Sequence, residues 1–374
     1  MTNNQMPTHH DNQNSTIAGP QSNPADIPQT DRFKHLFKLG IDVDLNYCVV
    51  ATQCDHGAIK PAQKMTRPQL IAWIKERIAA GHTVHTVYES CGLGYTLHRE
   101  LVAAGAHSLV ITPTRLDPER RRKNDRLDAR ELCVRLSRYL DGNKDELATI
   151  RVPSVAEQQR REYGRQRQFW GQQLRRLENH GRALRLEYEH QTLPSGWAGP
   201  RKWKSLAPQL SQFVRGQLEP IVEQIRHCKA QLARLTAGLE QLVAQQTLPK
   251  GLGSLTAALL DGEICDWNRF RHRKAAGSYT GCCPTEHSSG GTQRLGSIDR
   301  HGNRHVRRLL VEAVWRLIRY QPNWHAYKKL LGRLAHGASM KKKTVVALAR
   351  QLAIDLWRWR TGRCTLADLG LVPA

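Results

Sequence analysis

The sequence predicts an α/β domain followed by a helical half, which starts with a long arm and ends in a mostly helical domain. Three observations indicate this organisation. Strand-like and helix-like apolar patterns alternate between residues 38 and 140, two apolar stripes follow heptad spacing between residues 170 and 242, and basic helices fill the end of the chain. The 374 residues are enough for two domains and a linker.

Residues 1–33 are predicted to form a disordered tail. The first 31 residues are rich in Asn, Gln, Thr, Pro and Ser, and they include three acidic residues but no lysine or arginine. The positive charge of the protein therefore lies entirely after this segment.

Residues 34–152 form the predicted α/β domain. We expect strands at residues 38–44, 47–53, about 59–64, 83–89 and 108–112, and helices at residues 68–80, 95–104 and 124–140. Four leucines of the last helix are expected to face the core, namely Leu127, Leu132, Leu136 and Leu140. The element order is that of a ribonuclease H-like (RuvC-like) nuclease core, although order alone does not define a fold.

Residues 153–246 are predicted to form an antiparallel coiled-coil arm. The first apolar stripe is Trp170, Leu174, Leu177, Gly181, Leu184 and Tyr188. After a break at about residues 192–208, the second stripe is Val214, Leu218, Ile221, Ile225, Cys228, Leu232, Leu235, Leu239 and Leu242. Pro220 is expected to mark the start of the second helix or a kink. Two ordinary core helices are the alternative, and pairing within one chain or between subunits stays open.

The charge balance favours a polyanionic partner. Lysine and arginine number 57 against 33 acidic residues, which gives a net charge of +24 and a pI near 10.1. A nucleic acid fits this excess because every phosphate that is neutralised releases condensed counterions. A basic surface without a specific partner is the alternative.

The cysteines and the apolar segments indicate a cellular compartment. None of the nine cysteines forms a Cys-x-x-Cys pair, and neither a signal peptide nor a run of about 18 apolar residues occurs. We therefore expect a soluble, reduced, cytoplasmic protein that does not span a membrane.

Four carboxylates are candidates for a catalytic metal site. Asp42 lies in the first strand, with Asp44 as a rival, and Glu89 ends a later strand. Asp125 and Asp128 are three residues apart and share a helix face. Each acid alone is ordinarily structural, but a ribonuclease H-like core brings these strands and this helix together at one end of the sheet. Four carboxylates there would hold two Mg²⁺ ions, which can assist phosphodiester cleavage.

The run Ser288–Gly291 is either a flexible turn or a loop that carries a nucleophile. A nucleophilic serine needs a base or electrostatic activation. Arg304, Arg307 and Arg308 lie nearby in the sequence, where they could hold a scissile phosphate. Plain binding to a nucleic-acid backbone is the alternative role of these arginines, and the two roles are compatible.

Two further segments of the C-terminal domain, residues 247–374, indicate nucleic-acid binding. The Gly251-x-Gly253 turn is similar to a helix-hairpin-helix turn, in which backbone N–H groups approach a phosphate at a helix N-terminus. Lys341, Lys342 and Lys343 add charge at the start of a basic helix expected at about residues 341–360, and another helix is expected at residues 304–320.

Taken together, the motifs resemble the insertion-sequence-110 family of transposases over nearly everything after residue 38. The matching segments are residues 40–43, 88–92, 124–129, 251–257, 284–291 and 302–313. The resemblance implies an N-terminal DEDD domain of the RuvC and RNase H type, a coiled coil, and a C-terminal transposase domain with a catalytic serine.

Carried onto this sequence, the resemblance implies that Asp42, Glu89, Asp125 and Asp128 bind Mg²⁺ and that Ser289 is the nucleophile, with Ser288 as second choice. Asn124 stands where the family has threonine, and both residues can cap a helix. The implied partners are donor and target DNA, a structured noncoding bridge RNA, and further subunits in a dimer or tetramer.

The implied mechanism is a hypothesis at this point. Ser289 would attack a DNA phosphate and form a 5′-phosphoserine link, and the carboxylate site of another subunit would assist. A metal-dependent DNA nuclease or junction resolvase without serine chemistry is the alternative function. A nucleic-acid-binding protein without enzymatic activity is a second alternative.

Overall fold

The computed structural model describes residues 34–113, 124–288, 292, 294–334 and 336–374. The chain divides after Val152 into two compact units, Met1–Val152 and Pro153–Ala374. The predicted tail lies outside the described residues. The segments predicted as an arm and as a C-terminal domain belong to the same unit.

The first unit is built on a mixed five-stranded sheet. Its strands are β1 (Leu36–Val43), β2 (Cys48–Cys54), β3 (Gln63–Met65), β4 (Thr83–Glu89) and β5 (His107–Ile111). The strand order is β3-β2-β1-β4-β5. β2 pairs antiparallel with β1 and β3, whereas β4 pairs parallel with β1 and β5.

Three helices cover the sheet, with α1 (Arg67–Ala79) and α2 (Thr96–Ala103) on one face and α3 (Asp125–Leu140) on the other. Because side chains alternate along a strand, Ile41 and Tyr88 pack into the core under α1 and α2. Val87 packs on the opposite face against Leu132 of α3. The sheet is therefore buried on both faces, as its apolar central strands require.

Close backbone contact fixes α3 against β1. A Cβ on Gly40 would collide with the backbone of Ala129 and Cys133, so only glycine allows this approach. Four residues further along α3, Ser137 accepts a 2.8 Å hydrogen bond from Nζ of Lys38, which is fully buried. Lys38 contacts Ser137, and Gly40, further along β1, contacts the earlier helix residues Ala129 and Cys133. α3 therefore runs antiparallel to β1.

Leu127 is not a core residue, contrary to the prediction. Its side chain is 41% exposed, while Ala129, Leu132 and Leu136 are buried. The buried positions of α3 follow spacings of three and four residues, and Leu127 lies five residues before Leu132, off that stripe.

The second unit begins with two long antiparallel helices, α4 (Val155–Glu189) and α6 (Gln212–Gln241). Their cross-contacts run in opposite directions, from Arg167 with Thr236 at one end to Glu189 with Ser211 at the other. Pro220 lies inside α6, which begins eight residues earlier at Gln212, so the proline does not mark the helix start.

The predicted break between the two helices is ordered and contains the helix α5 (Pro200–Leu206). Trp197 is fully buried there and packs against Gly181 of α4, where a Cβ would collide with the indole ring. Tyr188 and Leu242, which end the two predicted stripes, are 54% and 48% exposed. The stripes are therefore shorter than predicted, because side chains near the helix ends face solvent.

The rest of the second unit is mostly helical around one core. Its elements are α7 (Ser254–Ile264), α8 (Arg273–Ser278), β6 (Pro284–Glu286), β7 (Leu295–Ile298), α9 (Arg304–Tyr320), α10 (His325–Leu334) and α11 (Gly337–Arg360). Leu260, Val314, Leu348 and Trp324 are buried in this core. Across the described ranges, no helix is both long enough and apolar enough to cross a membrane.

Candidate functional site

Asp42 and Glu89 lie side by side on neighbouring parallel strands. The register pairs Ile41 of β1 with Tyr88 of β4, so the next residue on each strand is at the same level. Adjacent strands are about 4.8 Å apart, and residues at one level of a parallel pair point to the same face. Since Ile41 and Tyr88 pack under α1 and α2, Asp42 and Glu89 are on the α3 face.

The first turn of α3 lies over the same end of β1. Gly40 contacts α3 at Ala129 and at Cys133, one turn later. Two residues of a strand and four of a helix both advance about 6 Å, so Asp42 lies opposite the turn that begins at Asp125. Asp125 and Asp128 are the two acidic residues of that turn. All four predicted acids thus share one edge of the sheet.

The four acids are not gathered around a common centre. Among the residues that the structure describes, the only three metal-ligating side chains within 4.8 Å of one another are His35, Cys54 and Asp55, at the opposite end of β1. Asp55 accepts hydrogen bonds there from Leu36 N and the His35 ring at 2.8 and 2.7 Å, which hold its pKa at about 2. These hydrogen bonds connect the residue after β2 to the start of β1, so a structural role accounts for this cluster.

Asp44, the rival of Asp42, belongs to the turn between β1 and β2. Its backbone N–H donates to Tyr47 O at 3.0 Å, and its carboxylate accepts from Asn46 N at 3.3 Å. Asp44 is exposed and stabilises the turn, whereas Asp42 is half-buried beside Glu89. This difference favours Asp42 as the site residue.

Two thiols in the same unit are held in the protonated state. Burial raises the pKa of Cys48 to about 11, with Arg67 opposing and Asp42 adding to the shift. Burial also raises the pKa of Cys133, on the face of α3 against β1, to about 11. Because only thiolates bind metals well, these side chains do not compete with the carboxylates at neutral pH.

Ser289, the predicted nucleophile, lies outside the described residues. Ser288 is described: its hydroxyl donates to Glu286 Oε1 at 2.7 Å and accepts from Arg294 N at 3.2 Å. A base within hydrogen-bonding distance is one way to activate a serine. Sequence reasoning missed Glu286 as a partner of Ser288, although the two residues are only two positions apart in the chain.

The serine segment starts from a fixed hairpin base. Gly281, at φ 61°, and Gly302 approach so closely that a Cβ on either would collide with the other's backbone. Backbone hydrogen bonds join Asp299 N to Cys283 O at 2.8 Å and Arg300 N to the Gly281 carbonyl at 3.2 Å. The strands β6 and β7 therefore leave from a base that directly precedes α9.

The three predicted arginines lie in the first two turns of α9 but differ in their contacts. Arg307 Nη1 donates to Thr280 O at 3.0 Å, so this side chain also holds the hairpin base. Arg304 is exposed, and Arg308 is 4.0 Å from Glu312 in a pair that solvent screens. Arg304 and Arg308 are thus the side chains best placed to bind a phosphate from solution.

A buried polar network that the sequence did not reveal holds the start of α9. Asn303 caps the helix, as its side-chain oxygen accepts from His305 N at 2.9 Å and Val306 N at 3.2 Å. Its amide also donates to Glu263 Oε2 at 2.9 Å, and Arg165 of α4 donates to Glu263 Oε1 at 3.3 Å. One carboxylate with a side chain only 8% exposed therefore links α4, α7 and α9.

The predicted Gly251-x-Gly253 turn leads directly into α7. Gly253 is the N-cap residue of that helix, and Gly251 has a φ of 92° that favours glycine. Gln321 fixes the turn by donating to Lys250 O at 2.9 Å. An open groove of about 570 Å³, also lined by Arg316, lies beside the turn, so α7 presents its N-terminus next to a cation.

Lys341, Lys342 and Lys343 are all exposed in the early turns of α11. α11 begins at Gly337, four residues before the predicted start. Nζ of Lys341 lies 5.5 Å from the centre of the Trp315 ring, and that tryptophan is 44% exposed. These lysines therefore form a solvated basic surface beside an accessible aromatic ring.

Comparisons with known proteins agree with the predicted family. Residues 246–329 match the family model of the IS116/IS110/IS902 transposases. A candidate transposase, y4rJ of Sinorhizobium fredii, is 28% identical over 324 residues, which cover 76% of this chain and 79% of the relative. The transposase for the insertion sequence element IS1111A of Coxiella burnetii is 23% identical over 346 residues, covering 87% and 91%. These similarities support an insertion-sequence transposase of this family.

A third transposase extends the likeness. The transposase for the element IS1328 of Yersinia enterocolitica is 25% identical over 284 residues, which cover 73% of this chain and 81% of the relative. The transposase family model itself spans the Gly251 turn, the serine segment, all of α9 and the start of α10. The matched segment thus holds the predicted nucleophile but none of the four acids.

Proposed function

We propose that the protein is a DNA-recombining transposase that cuts and rejoins phosphodiesters through a serine nucleophile, assisted by a carboxylate metal site. The observation that carries the proposal is the shared sheet edge of Asp42, Glu89 and the first turn of α3 in a chain whose serine segment falls within the transposase match. The serine segment would supply the nucleophile, and the sheet edge would supply the carboxylates that bind the metal.

The first unit is proposed to have a ribonuclease H-like fold. The proposal is supported by the order β3-β2-β1-β4-β5, with only β2 antiparallel to its neighbours, and by a helix packed across the central strand. Likewise, we propose that α4 and α6 form the coiled-coil arm. That proposal is supported by their antiparallel course and by the buried leucines and valines along α6.

The donor set fits magnesium. Asp42, Glu89, Asp125 and Asp128 offer only carboxylate oxygens, the ligands that Mg²⁺ prefers, and the buried thiols of Cys48 and Cys133 are protonated. Bound there, magnesium would supply charge neutralisation at the phosphodiester and stabilise the leaving oxygen. The remaining task of the chain is to hold the acids at one edge, which Gly40 achieves by admitting α3 against β1.

In the proposed reaction, the Ser289 hydroxyl oxygen attacks a DNA phosphorus and the 3′ oxygen of the neighbouring nucleotide leaves as a hydroxyl. The product is a 5′-phosphoserine link, which keeps the bond energy, so that a new 3′ hydroxyl can reseal the strand without an external energy source. Arg304 and Arg308 bind the phosphate and offset its charge. Ser288, with Glu286 as its base, is the second choice.

Sequence selection is proposed to come from a structured noncoding RNA that pairs with donor and target DNA, as base pairing does in other RNA-guided enzymes. Further subunits are proposed to complete the assembly, as a dimer or tetramer. The basic composition supports a polyanionic partner but is equally compatible with DNA alone.

The test is a search for a covalent protein–DNA adduct. Purified protein, Mg²⁺, RNA from the flanks of its gene and a DNA with a candidate element junction are incubated and analysed on a denaturing gel. An adduct that is lost in Ser289→Ala and retained in Ser288→Ala is the expected result. The reverse pattern would assign the nucleophile to Ser288 and Glu286.

Two other outcomes would contradict the serine mechanism. An adduct that still forms in the double variant Ser288→Ala/Ser289→Ala would exclude both serines as the nucleophile. Cleaved DNA without any adduct, abolished by Asp42→Asn, would instead identify a metal-dependent nuclease or resolvase.

A further inference from the structure

Arginines converge on a cleft where α4 meets α7 and α9, within the second unit. Arg160, Arg161, Arg165 and Arg167 reach it from α4, and Arg308 reaches it from α9. Among the described residues that line the cleft, Glu263 is the only acidic one. Five cations therefore surround a single carboxylate.

Glu263 is already engaged by other groups. Arg165 and Asn303 each donate to one of its oxygens, at 3.3 and 2.9 Å. Because both oxygens have partners, this carboxylate leaves an excess of positive charge among the other arginines, which an anion would relieve.

Burial is the largest influence on the pKa values of Arg167 and His305, and neighbouring charges modify them, whereas Cys265 and Glu263 raise the pKa of Arg161. Burial lowers the pKa of Arg167, Glu240 opposes the shift, and repulsion from Arg308 adds to it. Burial also lowers the pKa of His305, with Glu263 opposing and nearby arginines adding. A histidine that resists protonation adds no further cation, so the five arginines and Glu263 set the charge of the cleft.

The cleft retains unsatisfied hydrogen-bonding capacity. Nη2 of Arg161 donates to Cys265 Sγ at 3.1 Å, but its buried Nε has no partner among the described residues. The cleft offers about 30 Å³ of space to a group the size of a water molecule, which is enough for one such group. It therefore admits one oxygen atom of a larger anion while the rest of that anion stays at the arginine-lined mouth.

We infer that this cleft binds a backbone phosphate of a nucleic acid, with one non-bridging oxygen inside and Arg160, Arg167 and Arg308 around it. The inference rests on the proposed function and extends the contact surface from α9 onto α4. A phosphodiester suits the site because its negative charge offsets the excess of cations, and because a continuous backbone can reach Arg304 of α9 as well.

The test measures nucleic-acid affinity of the full chain by fluorescence anisotropy. The probes are a DNA duplex of about 30 base pairs and a structured RNA hairpin, each titrated between about 50 and 200 mM KCl. Arg160→Gln/Arg167→Gln is expected to raise Kd by about tenfold or more and to reduce the log–log salt slope by about one to two. A loss with only one probe assigns the phosphate to DNA or to RNA.

Two matched variants separate charge from folding. Both the glutamine and the lysine variant lose the hydrogen bond from Arg167 Nε to Thr236, but Arg160→Lys/Arg167→Lys keeps the charge, so its Kd should stay within about threefold of wild type. Arg175→Gln/Arg176→Gln removes two exposed arginines elsewhere on α4 and should likewise change Kd by less than about threefold.

Several results would contradict a phosphate site in this cleft. Equal losses in the Arg160/Arg167 and Arg175/Arg176 glutamine variants, or an equal loss in the lysine variant, would overturn the cleft in favour of a diffuse basic surface or a folding defect. Unchanged binding in Arg160→Gln/Arg167→Gln would overturn it outright. Wild-type protein that binds neither probe would overturn the proposed function together with the cleft.

Discussion

At the scale of single residues, the first unit contains polar groups that ordinarily lie at the surface. Lys38 is fully buried against Ser137, and His85 stacks on His107 at 4.6 Å between ring centres. Burial lowers the pKa of His85 to about 4, and the charges of His107 and Lys38 add to the shift. The histidine is therefore neutral in the folded protein throughout the physiological range.

The unfolding free energy should fall in acid because of His85. An unfolded histidine has a pKa near 6.5, so between about pH 6.5 and pH 4 only the unfolded chain binds this proton. The loss approaches about 3 kcal/mol at pH 4, and nothing is lost above pH 7. Urea unfolding of His85→Gln from pH 7 to 4.5 should show a shallower decline than wild type or than His56→Gln, an exposed control. Identical declines in all three proteins would refute the assignment.

Gly40 sets the distance between the acids at the sheet edge. A Cβ at this position collides with backbone atoms of α3, which cannot rotate away as a side chain could. Gly40→Ala should therefore destabilise the protein by about 1–3 kcal/mol or more and abolish Mg²⁺-dependent cleavage. Gly92→Ala, where nothing lies within 4 Å of the added Cβ, is the matched control. Thermal unfolding measures the first effect, and wild-type stability of Gly40→Ala would contradict the packing.

At the scale of elements, the start of α9 depends on one side chain with two roles. Asn303 caps the helix through its oxygen and donates to the buried Glu263 through its nitrogen. Serine can replace only the capping hydrogen bonds, and alanine replaces neither these bonds nor the one to Glu263. Aspartate restores the cap but places a second carboxylate beside that of Glu263.

The stability of Asn303 variants should therefore fall in the order wild type, Asn303→Ser, Asn303→Ala, with Asn303→Asp no better than alanine. Loss of the cap alone costs about 1 kcal/mol, and leaving Glu263 without its partner adds about 1–3 kcal/mol. Chemical denaturation at pH 7 gives the order. An Asn303→Asp variant as stable as wild type would show that the hydrogen bond from Asn303 to Glu263 does not stabilise the fold.

The elements of the first unit were largely predictable, and the reason is their apolar periodicity. β4 matches its predicted bounds, and α3 differs from its prediction by one residue. By contrast, β6 and β7 are three and four residues long and mostly exposed, so they have no apolar pattern from which a strand could be predicted. α5 was missed because Pro200 and the glycines around it suggested a loop, whereas the proline starts the helix.

The candidate site was predictable only in part. The motif order predicted the four candidate acids and the serine segment, and their roles stay predictions, whereas contacts between distant residues could not be predicted from the sequence. Glu263 and Asn303 are 40 residues apart, and Arg165 is 98 residues from Glu263. The convergence of the α4 arginines with α9 depends on how the helices pack, so the sequence could not predict it.

At the scale of the whole molecule, the excess of basic residues predicts strongly salt-dependent binding of nucleic acid. If six to ten phosphates are neutralised, affinity for duplex DNA should fall by about 10³- to 10⁵-fold between 50 and 200 mM salt. Anisotropy titrations of the full chain at several KCl concentrations measure this slope. A Kd that does not change with salt would show that the net charge of +24 is not used against phosphates.

The composition of α4 has a consequence for how its charge can be controlled. The helix contains eight arginines and no lysine. Acetyl transfer to lysine, amine-directed labels and alkaline conditions short of about pH 12 therefore leave its charge intact. If α4 holds a polyanion as proposed, a cell could weaken that contact only by competition, by ionic strength or by enzymes that modify guanidinium groups.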